Sequence, residues 1–399
     1  MEELILGELT ERKIGYGIVQ PGESTIGGVP VIKVNNIISG LKSIQDLDTT
    51  HPENDQKYRK TRLNGGEIII SVVGTIGKTA IVPMDFKGCN LVRATALIDI
   101  KDPILSRWVK YYIDSPKGQS YINGNLNTTV QPTLNIKSLV EMPIPFYGRE
   151  YAEKVVAILS KIDDKIENNR KINDNLEQQA QALYKSWFVD FEPFKDGNFV
   201  ESELGLIPEG WEVRDIYKYT DVIYGAPYKS SLFNENKEGY PLIRIRDLKS
   251  FAPQFYTQEI LPQTEYIIAG DVVAGMDAEF TPYIWQGEKG VLNQRCCKFK
   301  GQYPWVSNYY LLNLLKPELE YVQSYKTGTT VSHLGKADID RFKVITPPES
   351  IVKTFSVIVN SLLEQKIKSS YEIRNLTSTR DSLLPKLMSG ELKINEIDC

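Results

Sequence analysis

Three short basic runs offer the plainest chemistry in the chain. Lys57-Tyr-Arg59-Lys60-Thr-Arg62 is the densest; Arg244, Arg246 and Lys249 form a second, and Gln294, Arg295, Lys298 and Lys300 a third. Arg can contact guanine through two hydrogen bonds, and Lys and Arg neutralise phosphates. The plain alternative is a solvated charged face. Lys78, Arg93 and His333, also in turn-like stretches, complete a candidate DNA-facing set, although a lone loop histidine is more often structural. Gly74-Thr-Ile-Gly77-Lys78-Thr79 resembles the end of a phosphate-binding loop. That loop needs G-x-x-x-x-G-K-[ST], and position 72 is Val rather than Gly. Ala-Ile-Val-Pro follows, a strand pattern, so no helix N-terminus is expected to receive a phosphate. A tight turn between two strands is the better reading of this run.

Other chemistry is thin. His51 and His333 are the only two histidines, and Cys89, Cys296, Cys297 and Cys399 include no C-x-x-C pair. Neither a zinc site nor a disulfide framework is indicated, and no metal ligand set or catalytic residue is assigned. No methyltransferase catalytic loop, nuclease motif or helicase set is found, which favours a binding subunit over an enzyme. Net charge is −4, so nucleic-acid binding has to rest on local patches. No apolar run reaches membrane-spanning length and the N-terminus lacks a signal pattern, so the expected location is cytoplasmic, with no membrane partner.

The elements that must position these residues are organised around 149–188. Arg149 to Phe188 contains neither Pro nor Gly and reads as one long helix. Leu159, Ile162, Ile166, Asn169, Asn173, Leu176, Ala180, Leu183 and Trp187 recur at steps of three and four, a heptad seam with two Asn in the apolar register. A shift of 201 maps Lys165 onto Lys366 and Leu183 onto Leu384, giving a second copy. The globular parts repeat too. Gly28–Ile37 matches Gly239–Leu248, Gly66-Glu matches Gly270-Asp, Gly88–Arg93 resembles Gly290–Arg295, and Thr128-Thr-Val130 matches Thr329-Thr-Val331. The expected plan is a domain at 1–148, a helix at 149–189, a linker at 190–211, a second domain at 212–348 and a helix at 349–399. The fold class is α+β: two similar domains separated by two long antiparallel coiled-coil helices, with pseudo-two-fold symmetry. Trp187, Phe188, Phe191, Leu384 and Leu387 crowd the helix ends. Such ends could be core or a docking surface for a partner; a two-helix coiled coil has little core to hide them, so docking is the favoured expectation.

The chain resembles the specificity subunit of type I restriction-modification enzymes. The resemblance rests on the repeat, on Ala182-Leu-Tyr-Lys-Ser-Trp-Phe-Val-Asp-Phe-Glu-Pro193 and on Ser382-Leu-Leu-Pro-Lys-Leu-Met-Ser-Gly-Glu391. Gly270–Met276 with Leu292–Arg295, and Gly66–Ser71 with Gly74–Gly77, look like strands of its recognition domains. Asn127-Thr-Thr-Val-Gln131-Pro-Thr-Leu134 departs from the family's usual pattern, which Gly328–Leu334 keeps. The resemblance implies two target recognition domains, each reading half of a bipartite sequence in double-stranded DNA. It also implies two modification subunits using S-adenosylmethionine, and restriction subunits using ATP and Mg, with no cofactor and no catalysis in this chain. The rival readings are a nucleotide-binding enzyme built on the Gly74–Thr79 turn and a protein-only coiled-coil adaptor.

Overall fold

The computed structural model describes residues 2–41, 43–127, 132–326 and 332–392. The expected Thr128–Val130 and Thr329–Val331 match, Gln131 and Cys399 lie outside those ranges. The chain forms two compact units: residues 1–164 with 376–399, and residues 165–375.

Unit 1 is built on a four-stranded antiparallel sheet in the order Arg12–Tyr16, Thr95–Asp99, Ile68–Ser71, Thr79–Ile81. The run Ile68-Ile-Ile-Ser is buried throughout because both faces of the sheet are covered. Side chains alternate between the faces. Ile68 and Ile70 join Ala96, Ile98 and Trp108 in one cluster, while Ile69 joins Leu97, Val82 and Phe86 in another. The second cluster lies against a small sheet in which Val29–Ile32 pairs in parallel with Asn90–Leu91 and antiparallel with Asp48–Thr50. The first is covered by the helix Pro103–Asp114. That helix starts where the sequence says it should: Pro103 takes the first position, and Asp102 Oδ1 accepts the amides of Ile104 and Leu105 at 2.9 and 3.1 Å.

Unit 2 repeats this plan with different side chains. Thr220–Tyr224, Cys296–Gly301, Val272–Gly275 and Pro282–Ile284 form a four-stranded sheet in the equivalent order. Val272, Ala274, Cys297 and Phe299 face one cluster, and Val273 and Cys296 another. In the second sheet Tyr240–Ile243 pairs in parallel with Gly290–Leu292. Gly17 and Gly225 occupy the same place in the two units. A Cβ there would collide with the carbonyl oxygen of Leu91 or of Asn293, so glycine is required for the strand to approach that loop.

The first long helix runs Arg149–Phe188 and the second Glu349–Met388, each 40 residues. Each contributes to both units. The expected seam is present, with Leu159, Ile166, Asn169, Leu176 and Ala180 buried. In unit 1, Tyr151 donates its hydroxyl to Leu387 O at 2.9 Å, and Arg380 donates to Asp163 Oδ1 at 3.1 Å. In unit 2, the Asn169 amide donates to Glu372 Oε2 at 2.9 Å and that of Asn173 to Ser370 Oγ at 3.0 Å. Partner numbers fall as the first helix rises, so the helices pair antiparallel in each unit. The helix limits, and the buried pairs Ala152/Val352, Val155/Phe355 and Leu159/Val359, repeat at a shift of 200 rather than 201.

The stretch 190–211 differs from the expected linker. Phe199–Ser202 and Gly205–Pro208 form a β-hairpin, and Trp211 is buried with ring contacts to Phe191 at 5.4 Å and Phe194 at 5.0 Å. Its Pro, Gly and acidic residues form the turns, while its aromatic residues anchor it in unit 2.

Candidate nucleic-acid interface

In unit 1 a loop follows the helix Pro52–Lys57, with a 3-10 turn at Arg59–Thr61. Lys57, Arg59 and Lys60 are exposed. Arg62 is tied down: its guanidinium pairs with the buried carboxylate of Asp55, whose Oδ1 also accepts the Asn90 amide at 2.8 Å. The hydrogen bond and charge of Asp55 push the Arg62 guanidinium pKa up against its desolvation. Asn90 Oδ1 in turn accepts the Thr61 hydroxyl at 2.8 Å. The acid that claims Arg62, Asp55, stands two residues before the densest basic run, and Arg62 holds the loop while Lys57, Arg59 and Lys60 are exposed.

Lys78 is exposed on the hairpin between Ile68–Ser71 and Thr79–Ile81. Gly74 and Gly77 have φ of 78° and 81°, and the Gly77 amide donates to Ser71 O at 2.9 Å. This is the strand-to-strand turn expected, and Thr79 opens a strand.

Arg93 is exposed on the loop crossing the sheet edge, where its amide donates to Ile18 O at 2.8 Å. The matching bond in unit 2 comes from Gln294 to Ala226 O at 3.0 Å. Ala94 O accepts the Val72 amide at 2.8 Å, as Arg295 O accepts that of Met276 at 2.8 Å. Arg93 is thus the counterpart of Gln294, and Ala94 of Arg295. The expected match of Gly88–Arg93 to Gly290–Arg295 is off by one residue, because an identical Arg outweighs strand register in a short alignment.

Two members of the basic runs in unit 2 serve the fold. Arg244 donates its amide and its Nε to Asp247 Oδ2, both at 3.1 Å, and its guanidinium lies 4.4 Å from the centre of the Phe255 ring. The Arg244 side chain is thus engaged within its own turn and mostly covered, whereas Arg246, on the same turn, is exposed. Lys298 occupies the place of buried Leu97, with Nζ 2.9 Å from Glu265 and 3.0 Å from Asp271. It is an internal ion triad rather than part of a surface patch. Lys298 and Lys300 share one face of Cys296–Gly301, so alternation does not separate them; Lys298 lies in the middle of the strand, where its face is covered, and Lys300 lies near its exposed end.

Arg295 and His333, far apart in sequence, meet at Asp277. Arg295 Nη1 lies 3.0 Å from Asp277 Oδ2, and His333 Nδ1 lies 2.6 Å from Asp277 Oδ1. A β-bridge pairs Asp277 with His333, and the corresponding bridge in unit 1 pairs Val73 with Thr133. Asp277, absent from the expected set, is the acid next after Gly270–Met276. Among the described residues no contact joins Lys57, Lys78 and Arg93 to one another.

The apolar helix ends correct the docking expectation. Phe188 is 7% exposed and packs on Tyr184, Tyr310 and Phe355 with ring centroids 4.8–5.1 Å apart. Leu384 and Leu387 belong to the main core of unit 1 with Leu6, Ile144 and Leu159. Trp187 and Phe191 are half-buried against the core of unit 2. Each helix end enters a globular unit, which supplies the core that two helices alone would lack.

Residues 3–178 and 208–370 match the family model described as type I restriction modification DNA specificity domain. The type I restriction enzyme MjaIX specificity subunit of Methanocaldococcus jannaschii is 29% identical over 322 residues, covering 74% of this chain and 71% of that protein. The HindI specificity subunit of Haemophilus influenzae is 25% identical over 339 residues, covering 65% and 71%. In fold, the chain is similar to the crystal structure of the type I restriction-modification S subunit from M. genitalium, with a TM-score of 0.52 at 14% identity over 97% of this chain and 95% of that one. With two units of repeated topology and a family match over both, the chain belongs to the type I restriction-modification DNA specificity family, whose role is to confer sequence recognition on DNA rather than catalysis.

Proposed function

We propose that the chain reads a bipartite target in double-stranded DNA, one unit per half-site, and presents that DNA to partner subunits that do the chemistry. One observation carries the reading: the two units share strand order and register yet differ in side chains at matching loop positions. Arg93 stands against Gln294, Ala94 against Arg295, and Thr133 against His333. A conserved backbone frame with altered side chains is how one scaffold reads two sequences, because base identity is read by side chains reaching the groove.

The contact set comprises Lys57, Arg59, Lys60, Lys78 and Arg93 in unit 1, with Arg62 as the loop's anchor, and Arg246, Gln294, Arg295 and His333 in unit 2. Two modification subunits would bring S-adenosylmethionine, and restriction subunits ATP and Mg, all acting in the cytoplasm. No described helix is long and apolar enough to cross a membrane.

The test is methylation mapping of genomic DNA from cells with and without this chain, beside a variant in which residues 1–148 come from a relative. The expected result is one split motif, of which the exchange alters one half. A motif that changes in both halves at once, or no motif, overturns the reading.

A further inference from the structure

The Asp277 cluster has the form of a built reader rather than a scattered charge. Asp277 is 23% exposed in its side chain and holds two partners from different segments, Arg295 at 56% and His333 at 48%. Asp277 thereby ion-pairs one end of a guanidinium whose side chain is more than half exposed. With Nδ1 held by the carboxylate, Nε2 is the ring nitrogen of His333 left to meet a ligand. An arginine pinned at one edge has lost part of the rotamer entropy that a free surface arginine would lose on binding. A planar guanidinium held in this way suits the O6 and N7 acceptors of guanine in the major groove. The same register in unit 1 carries Ala94, Val73 and Thr133, which hold neither a charge nor a bidentate donor.

We infer that Arg295, positioned by Asp277 with His333 beside it, reads a guanine in the half-site of unit 2, and that the half-site of unit 1 lacks this contact. Arg295 makes the base contact, and Asp277 is a positioning residue acting through it. The inference rests on the bipartite reading above and names one base class within it.

The experiment uses the chain assembled with its modification subunits, on a DNA library in which the unit 1 half-site is fixed and the unit 2 half-site is randomised. The wild-type complex should select a guanine at one position of the randomised half. Arg295→Ala should reduce the preference at that position roughly ten- to a hundredfold, the range expected for one bidentate contact, and leave the other positions and the fixed half unchanged. Asp277→Asn keeps the size of the side chain and removes its charge. It should relax the same position by a smaller factor, which a merely structural role would not do. Selection of the fixed half by each variant reports that the complex is folded and assembled.

Two results overturn the inference: an Arg295→Ala motif identical to wild type, or an equal loss of affinity for all library members with a salt slope lower by about one, the mark of a phosphate contact. A wild-type complex that selects nothing in the randomised half would instead overturn the bipartite reading itself.

Discussion

Lys366 Nζ lies 2.6 Å from Glu177 Oε2, on facing turns of the two long helices within unit 2. Tyr309 donates its hydroxyl to Glu177 Oε1 at 3.1 Å. Burial raises the Glu177 pKa, but the charge of Lys366 and the hydrogen bonds from Lys366, Gln181 and Tyr309 outweigh it, so the carboxyl sits below its ordinary value. A depressed carboxyl adds stability above its unfolded pKa of about 4.3 and loses it as pH falls through the folded value. Lys366→Met should cost about 1–3 kcal/mol near neutral pH, because it leaves a largely buried charge unpaired. The deficit should shrink as pH falls toward 5 and Glu177 takes up a proton. Urea unfolding from pH 8 to 4 measures it, and an equal deficit at every pH counts against the pairing.

Phe188→Ala should destabilise unit 2 by about 3–5 kcal/mol, the usual cost of emptying an aromatic core site. That corresponds to a fall in melting temperature of roughly 6–20 °C for a unit of this size. Val189→Ala, at an exposed neighbour, should shift it little. Normal melting of Phe188→Ala together with lost subunit assembly would restore the docking role to this side chain.

Replacing Arg59 and Lys60 with Ala should lower the slope of log affinity against log salt for the assembled complex on DNA by about two, with unchanged melting. Arg244→Ala should act oppositely. It removes the counter-charge of buried Asp247 and leaves it only the backbone amide of residue 244, so melting falls, and base preference in the folded fraction stays as it was. Fluorescence anisotropy at several salt concentrations, beside thermal melts, separates the two classes of arginine.

Lys298→Ala should cost about 3–5 kcal/mol, because Glu265 and Asp271 lose a shared buried cation. Desolvation lowers the Lys298 pKa, but hydrogen bonds and charge from Glu265 and Asp271 prevail and raise it. A raised lysine contributes fully below its unfolded pKa of about 10.4 and loses that contribution as pH rises through the folded value. The deficit of the variant should therefore hold steady from pH 6 to 9 and narrow only in stronger alkali. Denaturant unfolding across that range checks it.

Much of this architecture is legible in the sequence because periodicity and breakers act locally. Forty residues without Pro or Gly can be read as a helix, and Leu159, Ile166 and Leu176 mark its buried face. Gly66 and Gly270 mark the same turn twice. What escapes the sequence depends on partners distant in the chain. Nothing near His333 names Asp277, 56 residues earlier. Phe188 and Leu387 look like surface when judged against two bare helices, because the sheets and helices that enclose them are written elsewhere. The counterpart of Arg93 can be settled only by which amide meets Ile18 O or Ala226 O.

Leu384, Leu387 and Met388 complete a core that begins with Leu6 and Ile144. Unit 2, in contrast, is one unbroken stretch, 165–375. During synthesis on the ribosome the order of completion is therefore inverted: the unit that starts first closes last. At about 5–20 residues per second, the strands of unit 1 wait on the order of tens of seconds for the helix that covers Ala152, Val155 and Leu159. Over that interval a nascent chain exposes an apolar face that only its own distant segment is shaped to fill, so chaperone dependence should be concentrated in unit 1.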